Sequence, residues 1–140
     1  MSNENTSTKV VVLLISNDRQ WSETLQHAIR SHGVVTILDY KEGELKTIKR
    51  KLEEGQKYEI IIIDAGAAGE KSSPLIRQIQ ELRCDAKVVV ASAAPTWRQA
   101  KEAFEMGAID YFRKSLNEKE LLSTFREISK KHTMWQPNDY

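Results

Sequence analysis

Reactive side chains stand directly behind four apolar runs of this chain. Ile60–Ile63 ends in Asp64, ahead of a Gly- and Ala-rich stretch that reaches Gly69. Val10–Ile15 ends in Ser16, Asn17 and Asp18. Lys87–Ala91 ends in Ser92, and Ala108–Phe112 is followed by Arg113 and Lys114. A carboxylate, a hydroxyl, an ammonium and further oxygen ligands make a set suited to a phosphoryl group. The carboxylate can act as nucleophile. The hydroxyl and ammonium can bind phosphoryl oxygens, and a hard cation such as Mg²⁺ can offset the charge. A buried strand can also simply stop at a polar residue, so position alone leaves both readings of Asp64 open.

That chemistry needs elements that bring the four exits together. The runs Val10–Ile15 (β1) and Ile60–Ile63 (β3) are continuous and branched, the pattern of strands covered on both faces. Val34–Tyr40 (β2) is less continuous and suits a sheet edge. Lys87–Ala91 (β4) and Ala108–Phe112 (β5) complete the set. Amphipathic stripes alternate with these strands: Trp21, Leu25, Ala28 and Ile29 (α1, stopped by Gly33), and Leu45, Ile48 and Leu52 (α2, ending near Gly55). Leu75, Ile76, Ile79 and Leu82 mark α3, with Pro74 in its first turn and Ser73 as cap. Thr96–Met106 is α4, with Ala100, Ala103 and Phe104 turned inward and Gly107 as its end. Leu121, Leu122, Phe125 and Ile128 mark α5, behind an Asn117/Glu120 capping box. Five strand–helix units predict an α/β fold, a flavodoxin-like five-stranded parallel sheet in the order 2-1-3-4-5 with helices on both faces. The order reverses at β1/β3, so the exits of those strands meet in one crevice.

With these residues in place, the chain resembles a response-regulator receiver domain (CheY-like family) from about Lys9 to Lys130. The most specific piece is Gly107–Leu121, GAIDYFRKSLNEKEL, similar to the family's Gly-Ala-x-x-Tyr/Phe-x-x-Lys-Pro-Phe segment with the lysine at Lys114. The resemblance implies that Asp64 is the phosphoacceptor, with Ser92 at the family's Thr/Ser position and Tyr111 at its aromatic switch position. It also implies that Asp64, Asp18, Asn17 and Gly66 are the residues nearest a bound metal. A sensor histidine kinase or phosphotransfer protein is the implied donor, and the α4-β5-α5 face, with Trp97 at the start of α4, the implied contact for a downstream protein or a homodimer.

The chain also departs from the family. Two adjacent acids normally follow β1 and organise Mg²⁺; Ser16 and Asn17 stand there, with Asp18 one place on. Asn17 offers a neutral carbonyl oxygen and no charge. Ala67, Ala68 and Ser72 replace the usual Met-Pro and Gly after the acceptor, and Ser115 replaces the proline after the lysine. A cis bond is therefore not expected there, since without proline it costs ~2.5–4 kcal/mol. Acceptor, hydroxyl and lysine are kept while metal-organising charge is depleted, so weak Mg²⁺ binding is expected. Two readings follow: an atypical receiver phosphorylated on Asp64, or a phosphorylation-independent pseudo-receiver in which Lys114 pairs with Asp64, serving as adaptor or dimerisation module.

Composition removes other classes. The 140 residues carry 21 basic and 20 acidic side chains, a net charge of +1, which argues for neither a nucleic-acid nor a membrane surface. The charged run on α2, Lys46 to Glu54, reads as a solvated helix face. The polar start lacks an apolar signal segment, and no apolar run approaches the ~18 residues of a membrane span. The single cysteine, Cys84, suits a reducing, cytoplasmic setting. His27, His32 and His132 have no partners at metal-site spacing. No GxGxxG or Walker lysine follows β1, which disfavours a nucleotide enzyme, and the protein is not expected to be an enzyme. The expected organisation is a disordered tail over residues 1–8, one domain over 9–131 and a C-terminal tail over 132–140 in which Trp135 could dock back. No output domain is expected beyond it.

Overall fold

The computed structural model describes residues 9–39, 45–54, 57–68, 72–82 and 85–134. The expected tail over residues 1–8, the turn at Lys41–Gly43, the helix stop at Gly55, Gly69, Cys84, Trp135 and the Ser73 side chain lie outside the described residues. In chain order the elements are β1 (Val10–Ser16), α1 (Arg19–Ala28), β2 (Gly33–Asp39), α2 (Leu45–Glu53), β3 (Ile60–Asp64), α3 (Ser72–Leu82), β4 (Lys87–Ser92), α4 (Trp97–Met106), β5 (Asp110–Arg113) and α5 (Glu118–Met134). One short helical turn, Ala65–Ala68, follows β3 and is left unnumbered.

The sheet is parallel throughout and runs β2-β1-β3-β4-β5, the order expected from alternating strands and helices. The isoleucines of β3 divide by parity, as a two-residue period requires. Ile61 and Ile63 join Leu13, Ile15, Val88 and Val90 under Ile48 and Leu52 of α2, Leu75, Ile76 and Ile79 of α3, and Ala103 of α4. Ile60 and Ile62 join Val12, Leu14, Val89 and Ala91 under Trp21, Leu25 and Ala28 of α1 and Leu121, Phe125 and Ile128 of α5. Both faces of the sheet are thus covered, with β3 at its centre.

Several boundaries differ from the sequence reading. Gly33 does not end α1: the helix stops at Ala28, and Gly33 opens β2. Its role is close packing, because a Cβ there would lie 3.1 Å from Phe125 Cζ and 3.3 Å from Ile29 Cδ1. Gly107 does end α4, with φ 114°, a left-handed conformation that glycine adopts without steric cost. Phe104, expected inward, is 48 % exposed; Ala103 takes the buried position. Successive helical residues are turned by roughly 100°, and the orientation of α4 gives the inward position to Ala103 and turns Phe104 toward solvent. α3 begins at Ser72, so Pro74 still falls in the first turn, where its missing N–H leaves no helical bond unmade. α5 continues to Met134, three residues past the expected end of the domain. At its start Glu120 N donates to Asn117 Oδ1 (3.0 Å), whereas the Glu120 carboxylate accepts from Ser115 Oγ (3.0 Å).

Candidate functional site

The loop expected directly after Asp64 is instead the helical turn Ala65–Ala68, and Asp64 caps it. Gly66 N donates to Asp64 Oδ1 at 2.9 Å, the bond an N-cap carboxylate makes to the second helical residue. The side chain shares the parity of Ile60 and Ile62, which aims it toward the α1/α5 layer. The β1–β3 register pairs Ile15 with Ile63, so Ser16 arrives beside Asp64 on the same face. Ser16 Oγ donates to Asp64 Oδ2 at 2.7 Å. Asp64 is 1 % exposed.

Lys114 reaches the same oxygen from the far side of β4. Its backbone N donates to Ser92 O (2.8 Å), which extends the β4–β5 pairing one residue beyond Arg113. Lys114 Nζ donates to Asp64 Oδ2 at 3.0 Å and to Asp18 Oδ2 at 2.7 Å. Asp18 is the N-cap of α1: its Oδ1 accepts from Trp21 N (3.1 Å), and its own N–H donates to Ser16 Oγ (3.0 Å). The Trp21 ring closes the cluster, with Lys114 Nζ 5.0 Å from its centroid.

These contacts shape the charges. Asp18 is held below its ordinary range, first by the hydrogen bond from Lys114, then by the one from Trp21 N, with the lysine charge adding and burial opposing. For Lys114, burial works against the ammonium. Its hydrogen bonds to Asp18 and Asp64, with their charges, outweigh that and raise it above its ordinary range.

Asn17, Ser92 and Tyr111 line two grooves that adjoin this cluster. Asn17 is exposed and lines a groove of about 420 Å³ with Ser16, Arg19, Ser22, Glu23, Ile37 and Asp39, on the β2 side of β1. Ser92 and Tyr111 share the parity of the α2–α4 layer. With Gly66 and Gln99 they line a second cavity of about 650 Å³. Ser92 Oγ accepts from Ala94 N (3.2 Å), and Tyr111 OH donates to Gln99 Oε1 (3.1 Å). Trp97 is 78 % exposed.

Among the described residues, no three His, Cys, Asp or Glu side chains are grouped so that they could hold a metal ion. The donor set is consistent with that. Ser16 Oγ donates a hydrogen bond to Asp64 Oδ2, Gly66 N–H covers Oδ1, and an ammonium bridges the two carboxylates. In this arrangement the two carboxylates, Asp18 and Asp64, share one lysine ammonium. Two members of the cluster were not apparent as such in the sequence. Ser16 reads there as a strand-exit residue at the place of a lost acid, with no bond to Asp64 foreseen, and Trp21 only as part of an apolar stripe; its place three residues after the capping Asp18 was the available sign.

Comparisons with known proteins agree with this architecture. A family model described as the response regulator receiver domain matches residues 12–126. A DNA-binding transcriptional regulator NtrC of Azospirillum brasilense is 31% identical over 124 residues, covering 87% of this chain and 24% of that protein, so the chain spans about a quarter of that relative's length. A response regulator from Thermotoga maritima superposes with a TM-score of 0.72 at 26% identity, over 86% of this chain and 97% of that one. A response regulator of Burkholderia pseudomallei, solved with a phosphorylated aspartic acid, calcium ion and citrate, gives 0.67 at 20% identity, over 92% of this chain and 76% of that one.

Proposed function

The chain belongs to the response regulator receiver domain family, and we propose that within it this protein is a signalling module that works by protein contact while Asp64 stays unmodified. One observation carries this reading: both carboxylate oxygens of buried Asp64 are already bonded to donors of the chain itself, Ser16 Oγ, Lys114 Nζ and Gly66 N. An incoming phosphoryl group would have to break the ion pair and uncover a buried oxygen. The α4-β5-α5 face is ready for contact without that step. Trp97 and Phe104 stand exposed on α4 and, with Ala100, Lys101 and Glu105, line a shallow apolar pocket of about 450 Å³. Exposed aromatic side chains of this kind dominate interface energetics when a partner buries them.

The test is intact-mass measurement after incubation with Mg²⁺ and acetyl phosphate or phosphoramidate, and with a histidine kinase. The expected result is no added phosphoryl mass. An adduct that Asp64→Ala abolishes overturns the reading and establishes the second one, an atypical phosphoacceptor. That second reading draws on the co-location of Asp64 and Lys114 with Ser92 on the neighbouring strand. There Asp64 Oδ2 would attack the phosphorus, the donor's leaving group would depart, and Lys114 and Ser92 would take the phosphoryl oxygens.

A further inference from the structure

We propose that Trp21 is a positioning residue for Lys114: the first turn of α1 supplies two walls of a cage, the Asp18 carboxylate and the Trp21 ring face, that hold the lysine ammonium against Asp64 and so keep those carboxylates from a divalent cation. The inference deepens the reading of an unmodified, internally paired Asp64 and rests on it.

Three contacts converge on one nitrogen. Lys114 Nζ lies 2.7 Å from Asp18 Oδ2, 3.0 Å from Asp64 Oδ2 and 5.0 Å from the Trp21 centroid. The contacts are linked, because Asp18 is fixed by Trp21 N through its other oxygen. One helical turn therefore orients both the carboxylate and the ring. Phe112 backs the indole, with ring centroids 6.4 Å apart. A cation over an indole face is attracted by the ring quadrupole, most strongly where water is kept away. The Lys114 side chain is 11% exposed.

Bulk alone does not account for a tryptophan here. Trp21 Nε1 is buried without a hydrogen-bond partner among the described residues. Leu or Met would fill an apolar stripe position without that desolvation cost. The ring face has a use that only an aromatic residue can meet. A divalent cation drawn to these two carboxylates would meet the ammonium already bonded to Asp18 Oδ2 and Asp64 Oδ2, so the two cations compete.

The experiment uses the full chain and two readouts. In wild type, ¹H–¹³C NMR should find the Lys114 ε-methylene protons shifted upfield by the indole ring current. Resonances at ordinary lysine positions overturn the proposal before any variant is made. Mn²⁺ or Mg²⁺ titration by calorimetry then compares Lys114→Met, Trp21→Leu and Trp21→Phe, each checked for folding by circular dichroism. Lys114→Met should tighten divalent binding by about tenfold or more, since it removes a competing charge at hydrogen-bond distance. Trp21→Leu should tighten it by about threefold to tenfold, the affinity equivalent of a shielded cation–π contact, and Trp21→Phe should stay near wild type. A folded Trp21→Leu with wild-type affinity beside a tightened Lys114→Met makes Trp21 a core residue only, and overturns the proposal. If Trp21→Leu does not fold, Trp21→Phe and the wild-type NMR shift decide. The phosphodonor experiment fails or succeeds separately: an adduct on Asp64 removes the functional reading and leaves the titration result standing.

Discussion

Replacing Lys114 by Met removes the ammonium at nearly constant side-chain volume and leaves Asp64 buried without its counter-charge. At 3.0 Å the gross attraction is about 5 kcal/mol for an effective dielectric constant near 20. Removing one partner of a buried pair generally costs ~3–5 kcal/mol, because the other charge stays desolvated. Asp64 keeps the Ser16 and Gly66 hydrogen bonds, which places its share at the lower end of that range. The Asp18 contact adds at most ~1 kcal/mol, since that side chain is 39% exposed and screened by solvent. The expected total is about 3–4 kcal/mol. Urea unfolding should read it as a midpoint lowered by roughly 1–3 M with an unchanged slope. Adding Asp64→Asn to Lys114→Met should recover about 2 kcal/mol, because the stranded charge is gone. A Lys114→Met protein within ~1 kcal/mol of wild type, or a double variant no more stable than the single, would refute the view that the lysine neutralises a buried carboxylate.

Further outcomes follow from the same structure. Asn17→Asp adds a carboxylate at the position where the family carries an acid, and should tighten Mg²⁺ binding by about tenfold in calorimetry; no tightening would place the obstacle in loop geometry and Lys114 rather than in missing charge. Gly107→Ala should cost about 1–3 kcal/mol in thermal unfolding, because φ is 114° and the new Cβ would collide with the Gln80 side-chain amide. Trp97→Ala should change stability by less than ~0.5 kcal/mol, and Trp21→Ala should lower it by ~3–5 kcal/mol, since one side chain is exposed and the other buried. For pH, the lowered Asp18 contributes stability above its ordinary 3.8 that is lost as pH falls through its folded value. The raised Lys114 contributes stability below its ordinary 10.5 that is lost as pH rises through its folded value. Asp18→Asn should therefore flatten the acid limb of a stability profile, and Lys114→Met the alkaline limb as well.

The exchange of an acid for Ser16 has a direct physical consequence. A carboxylate at that position would repel Asp64 and call for a compensating cation. A hydroxyl instead donates to it, beside the Lys114 ammonium on the same oxygen. The depletion of acids after β1 and the lysine-bridged resting site are thus two sides of one arrangement.

Much of this was determined by the sequence alone. Continuous branched runs alternating with 3.6-residue stripes require a parallel sheet covered on both faces, and the segment around Lys114 carries the family likeness. Those signals are local and periodic, so they survive without coordinates. Asp64 and Lys114 were legible as a pair because each follows a strand and the strand order brings them to one edge. Other features depended on tertiary structure. Phe104 and Ala103 are neighbours with equal claims to the core, and only the angle of α4 against the sheet exposes one of them. Asn17 and Asp18 are adjacent oxygen donors. The start of α1 makes Asp18 the cap and brings it to Lys114, while Asn17 faces the groove beside β2. Ser92 was expected near Asp64; strand parity turns its side chain toward Tyr111, and the cavity the two line also takes in Ala65 and Gly66, the residues that follow Asp64. The role of Trp21 depends on a lysine 93 positions away whose Nζ lies 5.0 Å from its ring. Periodicity assigns a residue to a face, whereas a contact between distant residues is set by register, helix tilt and side-chain reach, which exist only once the chain has folded.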